Sequence, residues 1–307
     1  MKTAFLFSGQ GSQYPSMGAE LAAKFDSAKE IIECGSDIMG FDLMKKLTES
    51  TAEELAQTKL SQPAIFTVSL LALNSVRENG VENCAVAGHS LGEYAAMYAS
   101  GMLSLEDAFK AIKLRSEAMS KAAEGSDGAM AAILGADNAA IEEVCGSVSG
   151  YAAPANYNSP AQTVIAGEAS AVDEAIAIFT ERKIRSVKLA VSAAFHTKLM
   201  ESAAAEFKEQ ISGFNFNKPN CGFYSNLYGT QLTDFSDMPK YLAAHICSPV
   251  RFVDELNAMN DAGIEAYVEL GPGKVLSGLV RKTLKPAVNV NVENSETLEK
   301  ALTAIKI

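Results

Sequence analysis

The 307-residue chain carries 26 Lys and Arg against 37 Asp and Glu, a formal charge of −11, and 48% of it is hydrophobic. That charge, with no Lys/Arg-rich run, argues against nucleic-acid binding, and the apolar fraction can bury a large core in one big domain or two unequal ones. Five cysteines, odd in number and without a Cys-x-x-Cys spacing, argue against a disulfide framework or a zinc site. No apolar run approaches the roughly 18 residues of a membrane span, and Met1–Phe7 lacks the make-up of a signal peptide, so a soluble, cytoplasmic protein is expected.

Thr3-Ala4-Phe5-Leu6-Phe7 reads as a strand ending in Ser8-Gly9-Gln10-Gly11-Ser12-Gln13. Helical patterns follow near 17–38 and 61–79, then a strand at 84–88 and helices near 91–99 and 104–123. This alternation predicts an α/β domain with a parallel sheet covered by helices. After the break at Gly125-Ser126-Asp127-Gly128 the rhythm changes. Ala129–Leu134 reads as a strand, Ala139–Cys145 as a helix, Tyr151–Asn156 and Gln162–Ala166 as strands, Ala169–Thr180 as a helix and Ile184–Leu189 as a strand. That order, β-α-β-β-α-β, is ferredoxin-like. Residues 127–190 are therefore expected to form an insert in a larger domain made of 1–126 and 191–307. The larger pattern then resumes with a helix at 198–212, a strand at 221–224, helices near 238–246 and 250–262, a strand at 264–269, a helix at 274–284 and a closing helix at 295–306.

The strongest chemical signal is Gly88-His89-Ser90-Leu91-Gly92, a Gly-x-Ser-x-Gly pentapeptide between a strand and a helix. In that context it forms a nucleophile elbow: a sharp, strained turn lifts the serine hydroxyl above the sheet, and glycines let strand and helix approach closely. The amide of Leu91, at a helix N-terminus, is placed to stabilise an oxyanion.

Serine needs a base, and the chain has only three histidines. His89 neighbours Ser90 on the elbow, so its side chain should point away. His245 lies in a helical run, where a structural or surface role is expected. His196, between a strand end and a helix start, is the candidate base, since active-site groups of α/β folds concentrate at such junctions. The order Ser…His matches α/β-hydrolase-like enzymes. Asp234, Asp237, Asp254 and Glu269 have no distinguishing context as a third member, and a backbone carbonyl could orient the imidazole equally well.

Two further segments read two ways. The Gly9–Gln13 loop lacks the third glycine of a dinucleotide fingerprint and the Lys-Ser/Thr of a P-loop; beside an elbow, a second oxyanion donor near Gln10 is the favoured reading. Arg115, on the helix after the elbow helix, is either a surface salt-bridge residue or a bidentate clamp on a substrate carboxylate. Asn156-Tyr157-Asn158-Ser159-Pro160 and Gly271-Pro272-Gly273-Lys274 read as turns.

Taken in order, these segments resemble the malonyl-CoA:acyl carrier protein transacylases of type II fatty-acid synthesis. The match includes Phe7–Gln13, Gly88–Tyr94, Arg115 with Met119, Asn156–Gln162, Ala194–Thr197, Ser248–Phe252 and Glu269–Leu276, nearly the whole chain. The resemblance implies a hydrolase-like domain with a ferredoxin-like insert, Ser90 as nucleophile, His196 as base, and the amides of Gln10 and Leu91 as oxyanion hole. It also implies that Arg115 binds the malonyl carboxylate and that Phe195 accompanies malonyl over methylmalonyl preference. His245 stands where relatives commonly carry glutamine, at the position whose main-chain carbonyl orients the imidazole. The implied partners are malonyl-CoA and acyl carrier protein in a ping-pong cycle, with no metal or organic cofactor and a monomeric enzyme. The carrier is acidic as a class, so Arg182, Lys183, Arg185 and Lys188 are candidates for its docking. Polyketide synthesis shares this chemistry; an esterase or thioesterase, or a non-catalytic carrier-binding module, would differ in its use of Arg115 or Ser90.

Overall fold

The computed structural model describes residues 1–191 and 193–305. Ser192, in the segment leading to His196, and Lys306, the end of the expected closing helix, lie outside the described residues.

Ten strands are present among the described residues: β1 (Thr3–Phe7), β2 (Ala85–Gly88), β3 (Gly128–Leu134), β4 (Ala152–Ser159), β5 (Gln162–Glu168), β6 (Arg185–Lys188), β7 (Gly222–Ser225), β8 (Thr230–Gln231), β9 (Ala266–Leu270) and β10 (Val288–Val292). They form a six-stranded sheet ordered β10-β9-β1-β2-β7-β8 and a four-stranded sheet ordered β4-β5-β3-β6. In the large sheet only β8 runs antiparallel to its neighbour.

Every residue of the central strand β1 is buried. Phe5 and Phe7 enter the core on one face, Ala4 and Leu6 that on the other. A strand covered on both faces needs a continuous apolar run, which is why Thr3–Phe7 shows no polar alternation. Phe7 pairs with Gly88 at the carboxyl ends of β1 and β2, so the Ser8–Gln13 loop and the elbow leave the sheet side by side. Ligand sites of open α/β sheets form at such carboxyl ends.

The small sheet draws all its strands from Gly128–Lys188 and has a core of its own, including Ile133, Ile165 and Phe179. Its order and antiparallel pairing are those of a ferredoxin-like fold. β6 runs directly into Leu189–Val191, which borders the cavity beside Ser90.

Several expected elements are divided or displaced. The helix expected over 17–38 is two, Ala19–Lys24 and Ser27–Met39, because Phe25 turns extended and packs against the core. The one expected over 198–212 is a 3-10 turn, Lys198–Met200, followed by a helix over Glu201–Gln210. Two short helices, Leu43–Glu49 and Ala52–Leu55, and strands β8 and β10 were not anticipated. Among the described residues no helix is long and apolar enough to cross a membrane.

Candidate active site

The elbow depends on both glycines. A Cβ on Gly88 would lie 2.0 Å from the Gly92 carbonyl carbon, and one on Gly92 would lie 2.2 Å from the Phe7 carbonyl oxygen. Both obstacles are backbone, so neither can turn aside. Ser90 adopts φ 54°, the left-handed region that a residue with a Cβ occupies only under strain. The helix Gly92–Ala99 starts immediately after, with Leu91 at its N-cap. First-turn amides have no intrahelical partner, which leaves the Leu91 N–H suited to an oxyanion.

His196 is buried and also carries a positive φ, 60°. Its Nε2 lies 2.7 Å from Ser90 Oγ. Nδ1 faces two main-chain carbonyls, His245 at 3.1 Å and Ser248 at 3.2 Å. Carbonyls only accept, so Nδ1 carries the proton and Nε2 presents a lone pair to the serine hydroxyl. Burial, followed by the charge of Arg115, pushes the imidazole pKa down to about 3. The ring is therefore neutral near pH 7, as a base must be.

None of the four acidic candidates serves this histidine. Asp234 accepts from Ser236 N, Asp237 from Lys240 N, Asp254 pairs with Arg251, and Glu269 accepts from the amides of Leu276 and Ser277. Ser90 and His196 form a hydrogen-bonded pair whose imidazole is oriented by main chain.

Arg115 is only 1% exposed, so it is not the surface arginine of the alternative sequence reading. From the helix Leu105–Ala123 its Nη2 donates to Ser90 Oγ at 2.9 Å and its Nη1 to Gln62 Oε1 at 2.7 Å. The guanidinium lies over the Tyr94 ring at 5.5 Å, and its Nε has no hydrogen-bond partner. Burial lowers its pKa below the usual guanidinium range. Unmet donor capacity on a buried cation next to the nucleophile is a feature of an anion-binding group.

A cavity of about 290 Å³ opens over Ser90 and His196, with Gln10, Met119 and Phe195 in its wall. Arg115 does not border it directly and meets it through Ser90 Oγ. His89 Nε2 turns to Asn158 Oδ1 at 2.8 Å, as expected of a residue that cannot serve Ser90. His245, for which a surface place was open, is wholly buried. Among the described residues no group of three or more His, Cys, Asp or Glu is placed to hold a metal ion.

Sequence reasoning missed Gln62, which carries no motif and is identified only by its bond to Arg115. It also missed Asn226, beneath the elbow: an isolated Asn at a strand end reads as turn chemistry.

A strained serine on a strand–turn–helix elbow, a neutral histidine base and a buried arginine, on a parallel sheet with an inserted antiparallel one, define an acyltransferase of hydrolase-like build. The chain matches the acyl transferase domain family over residues 4–301. It is 38% identical to the malonyl CoA-acyl carrier protein transacylase of Bacillus subtilis, over 99% of this chain and 98% of that one. The crystal structure of the corresponding protein from Clostridium perfringens superposes with a TM-score of 0.95 at 34% identity, covering 100% of this chain and 98% of that one. A malonyl-transacylase in complex with its type II PKS acyl-carrier protein gives 0.92 at 32%, covering 99% of each chain. The chain belongs to the acyl transferase family, among the malonyl CoA-acyl carrier protein transacylases.

Proposed function

We propose that the enzyme moves the malonyl group of malonyl-CoA to the phosphopantetheine thiol of acyl carrier protein through an ester on Ser90, supplying fatty-acid elongation from the cytoplasm as a monomer. His196 Nε2 takes the Ser90 proton as Oγ attacks the thioester carbon. The N–H groups of Gln10 and Leu91 hold the oxyanion. Collapse expels CoA, whose sulfur takes the proton back from His196. The carrier thiol then gives its proton to His196 and attacks the ester carbon. The second collapse releases malonyl-carrier, and Ser90 Oγ recovers its proton. Arg115 holds the distal carboxylate in both halves from its place beside Ser90 Oγ, and Phe195 borders the acyl group. The cycle as proposed calls on protein groups alone for each charge and proton.

The observation that carries this proposal is the convergence of His196 Nε2 and Arg115 Nη2 on one oxygen, Ser90 Oγ. Parallel exposure to malonyl-CoA, acetyl-CoA and methylmalonyl-CoA, followed by intact-mass analysis, tests it. A stable malonyl adduct on Ser90, discharged by holo-carrier, is the expected result. Labelling mainly by acetyl-CoA, or release of free malonate without a carrier, would overturn it in favour of another transferase or a thioesterase. The similarity to a transacylase bound to a type II PKS carrier keeps polyketide supply as a second reading, and competition between the two kinds of holo-carrier for the malonyl-enzyme separates them.

A further inference from the structure

Asn226 follows β7 directly and is wholly buried. Its side chain grips both peptides that flank His89. Oδ1 accepts from Ser90 N at 2.7 Å, and Nδ2 donates to the Gly88 carbonyl at 2.6 Å. The second Nδ2 proton goes to Glu255 Oε1 at 2.6 Å, and His245 Nε2 reaches Oδ1 at 3.2 Å. All four hydrogen-bonding positions of the amide are thus filled, and only one orientation of it fits. Its own main chain is fixed as well: N donates to Glu93 Oε1, and the carbonyl accepts from Arg251 N at 2.9 Å.

We propose that Asn226 is a positioning residue for acyl transfer: by holding the two peptides before Ser90, it keeps the serine in the left-handed conformation that points Oγ at His196 Nε2 and Arg115 Nη2. The inference rests on Ser90 being the acylated nucleophile. A left-handed serine is costly and persists only where its surroundings over-determine it. The two bonds to Ser90 N and Gly88 O supply that constraint from a strand on the far side of the elbow. His245 extends it to the base. Its carbonyl orients His196 Nδ1 while its ring reaches Asn226, so one helix residue sets nucleophile and base relative to each other.

Asp at position 226 gives a distinguishing signature. The groups around it are Glu93 on the helix Gly92–Ala99, Glu255 on Phe252–Asp261, and Tyr241 and His245 on Met238–Cys247, with the His196 ring tilted against the His245 ring at 5.5 Å. A carboxyl among two buried acids is held protonated well above its usual range. Protonated, it keeps an acceptor for Ser90 N and one O–H donor. Ionised, it has no donor for Gly88 O and adds charge next to Glu93 and Glu255. Activity of the Asp variant is therefore highest at low pH and falls as pH rises.

The test uses N226A and N226D, with Ser90 acylation by malonyl-CoA followed by rapid quench and mass analysis across the pH range, and thermal melting alongside. N226A is expected to acylate about 100-fold more slowly at unchanged KM for malonyl-CoA, the scale of an ångström-level misplacement. N226D is expected to approach the wild-type rate at low pH and to lose it on the alkaline side, where the wild type does not. If N226A fails to fold, the pH profile of N226D decides. Wild-type rates and profile in folded variants would overturn the proposal, as would a pH-independent loss in N226D that tracks its melting temperature. Failure of the wild type to load Ser90 would instead sink the acyl-enzyme reading itself.

Discussion

Arg115 Nη2 donates to Ser90 Oγ at 2.9 Å, from the same cation that depresses the basicity of His196. The guanidinium thus acts on both partners of the proton transfer. In the proposed cycle it would stabilise a developing alkoxide and weaken the base that must create it. A carboxylate bound to Arg115 would neutralise the cation and return basicity to His196, which ties activation of the dyad to the presence of an acid-bearing acyl group.

Arg115→Ala should therefore do two things. It should lower kcat/KM for malonyl-CoA by about 100-fold, the scale of losing charge-assisted hydrogen bonds to a carboxylate, while affecting acetyl-CoA much less. It should also raise the pKa of His196 toward the usual 6.5, because one cause of its depression is gone. The base works only when neutral, so the acid limb of the rate profile with acetyl-CoA should move to higher pH. An unmoved limb and unchanged malonyl-to-acetyl discrimination would refute both roles.

Buried acids make stability fall with rising pH. Burial lifts the Glu93 carboxyl from 4.5 to about 8, and Glu255 is pushed in the same direction for the same reason. A raised acid binds more protons folded than unfolded between the two values, so its contribution is present below about pH 4.5 and is lost as pH climbs through about 8. The histidines, two of them buried and His89 partly so, act oppositely. Their lowered values give stability that is complete above about 6.5 and lost on acidification. Denaturant midpoints should peak between these limits and decline from about pH 6 to about pH 9. Glu93→Gln should flatten the alkaline decline; an equal decline in that variant would show that Glu93 is not its source.

Gly92→Ala places a methyl 2.2 Å from the Phe7 carbonyl, where only backbone movement can relieve it. A cost of about 3 kcal/mol is expected, the upper end for overpacking, together with loss of acylation because the elbow must open. Gly146 is a matched control. It lies in the helix Asn138–Ser147 with nothing within 4 Å of an added Cβ, so Gly146→Ala should stabilise by about 0.5–1 kcal/mol. Denaturant titrations of the two variants should move in opposite directions.

Ser90 stood out as the candidate nucleophile because the elbow writes its steric needs into two glycines, and His196 as the candidate base because only three histidines competed for one role. Gln62 and Asn226 carry no such mark: each acts through a single geometry that exists only once distant elements meet, 53 residues apart for Gln62 and Arg115 and 136 for Asn226 and Ser90. The alternating Val288–Val292 of β10 does carry a period-two pattern, but with only three valines, of which Val292 alone is fully buried, it made a weak signal beside the nearly continuous apolar run of β1. Arg115 could not be decided from its helix alone, since burial depends on Tyr94 and Gln62 closing over it from other helices.

Carrier docking can be separated from acyl chemistry at β6. Arg182 and Lys188 are already paired, with Glu143 and Asp173, and such exposed pairs leave little charge to attract a partner. Lys183 and Arg185 are exposed and form no ion pair among the described residues. Arg185 begins the strand that leads into Leu189 and Ala190 at the cavity wall, so an acidic carrier drawn to it would bring its thiol arm toward Ser90. Arg185→Glu should raise KM for holo-carrier about tenfold, with the effect shrinking as salt rises. Loading of Ser90 from malonyl-CoA should be unchanged, since that half-reaction involves no carrier. Equal loss in both half-reactions would mean that Arg185 supports the fold or the CoA site, and no change in either would remove it from the docking face.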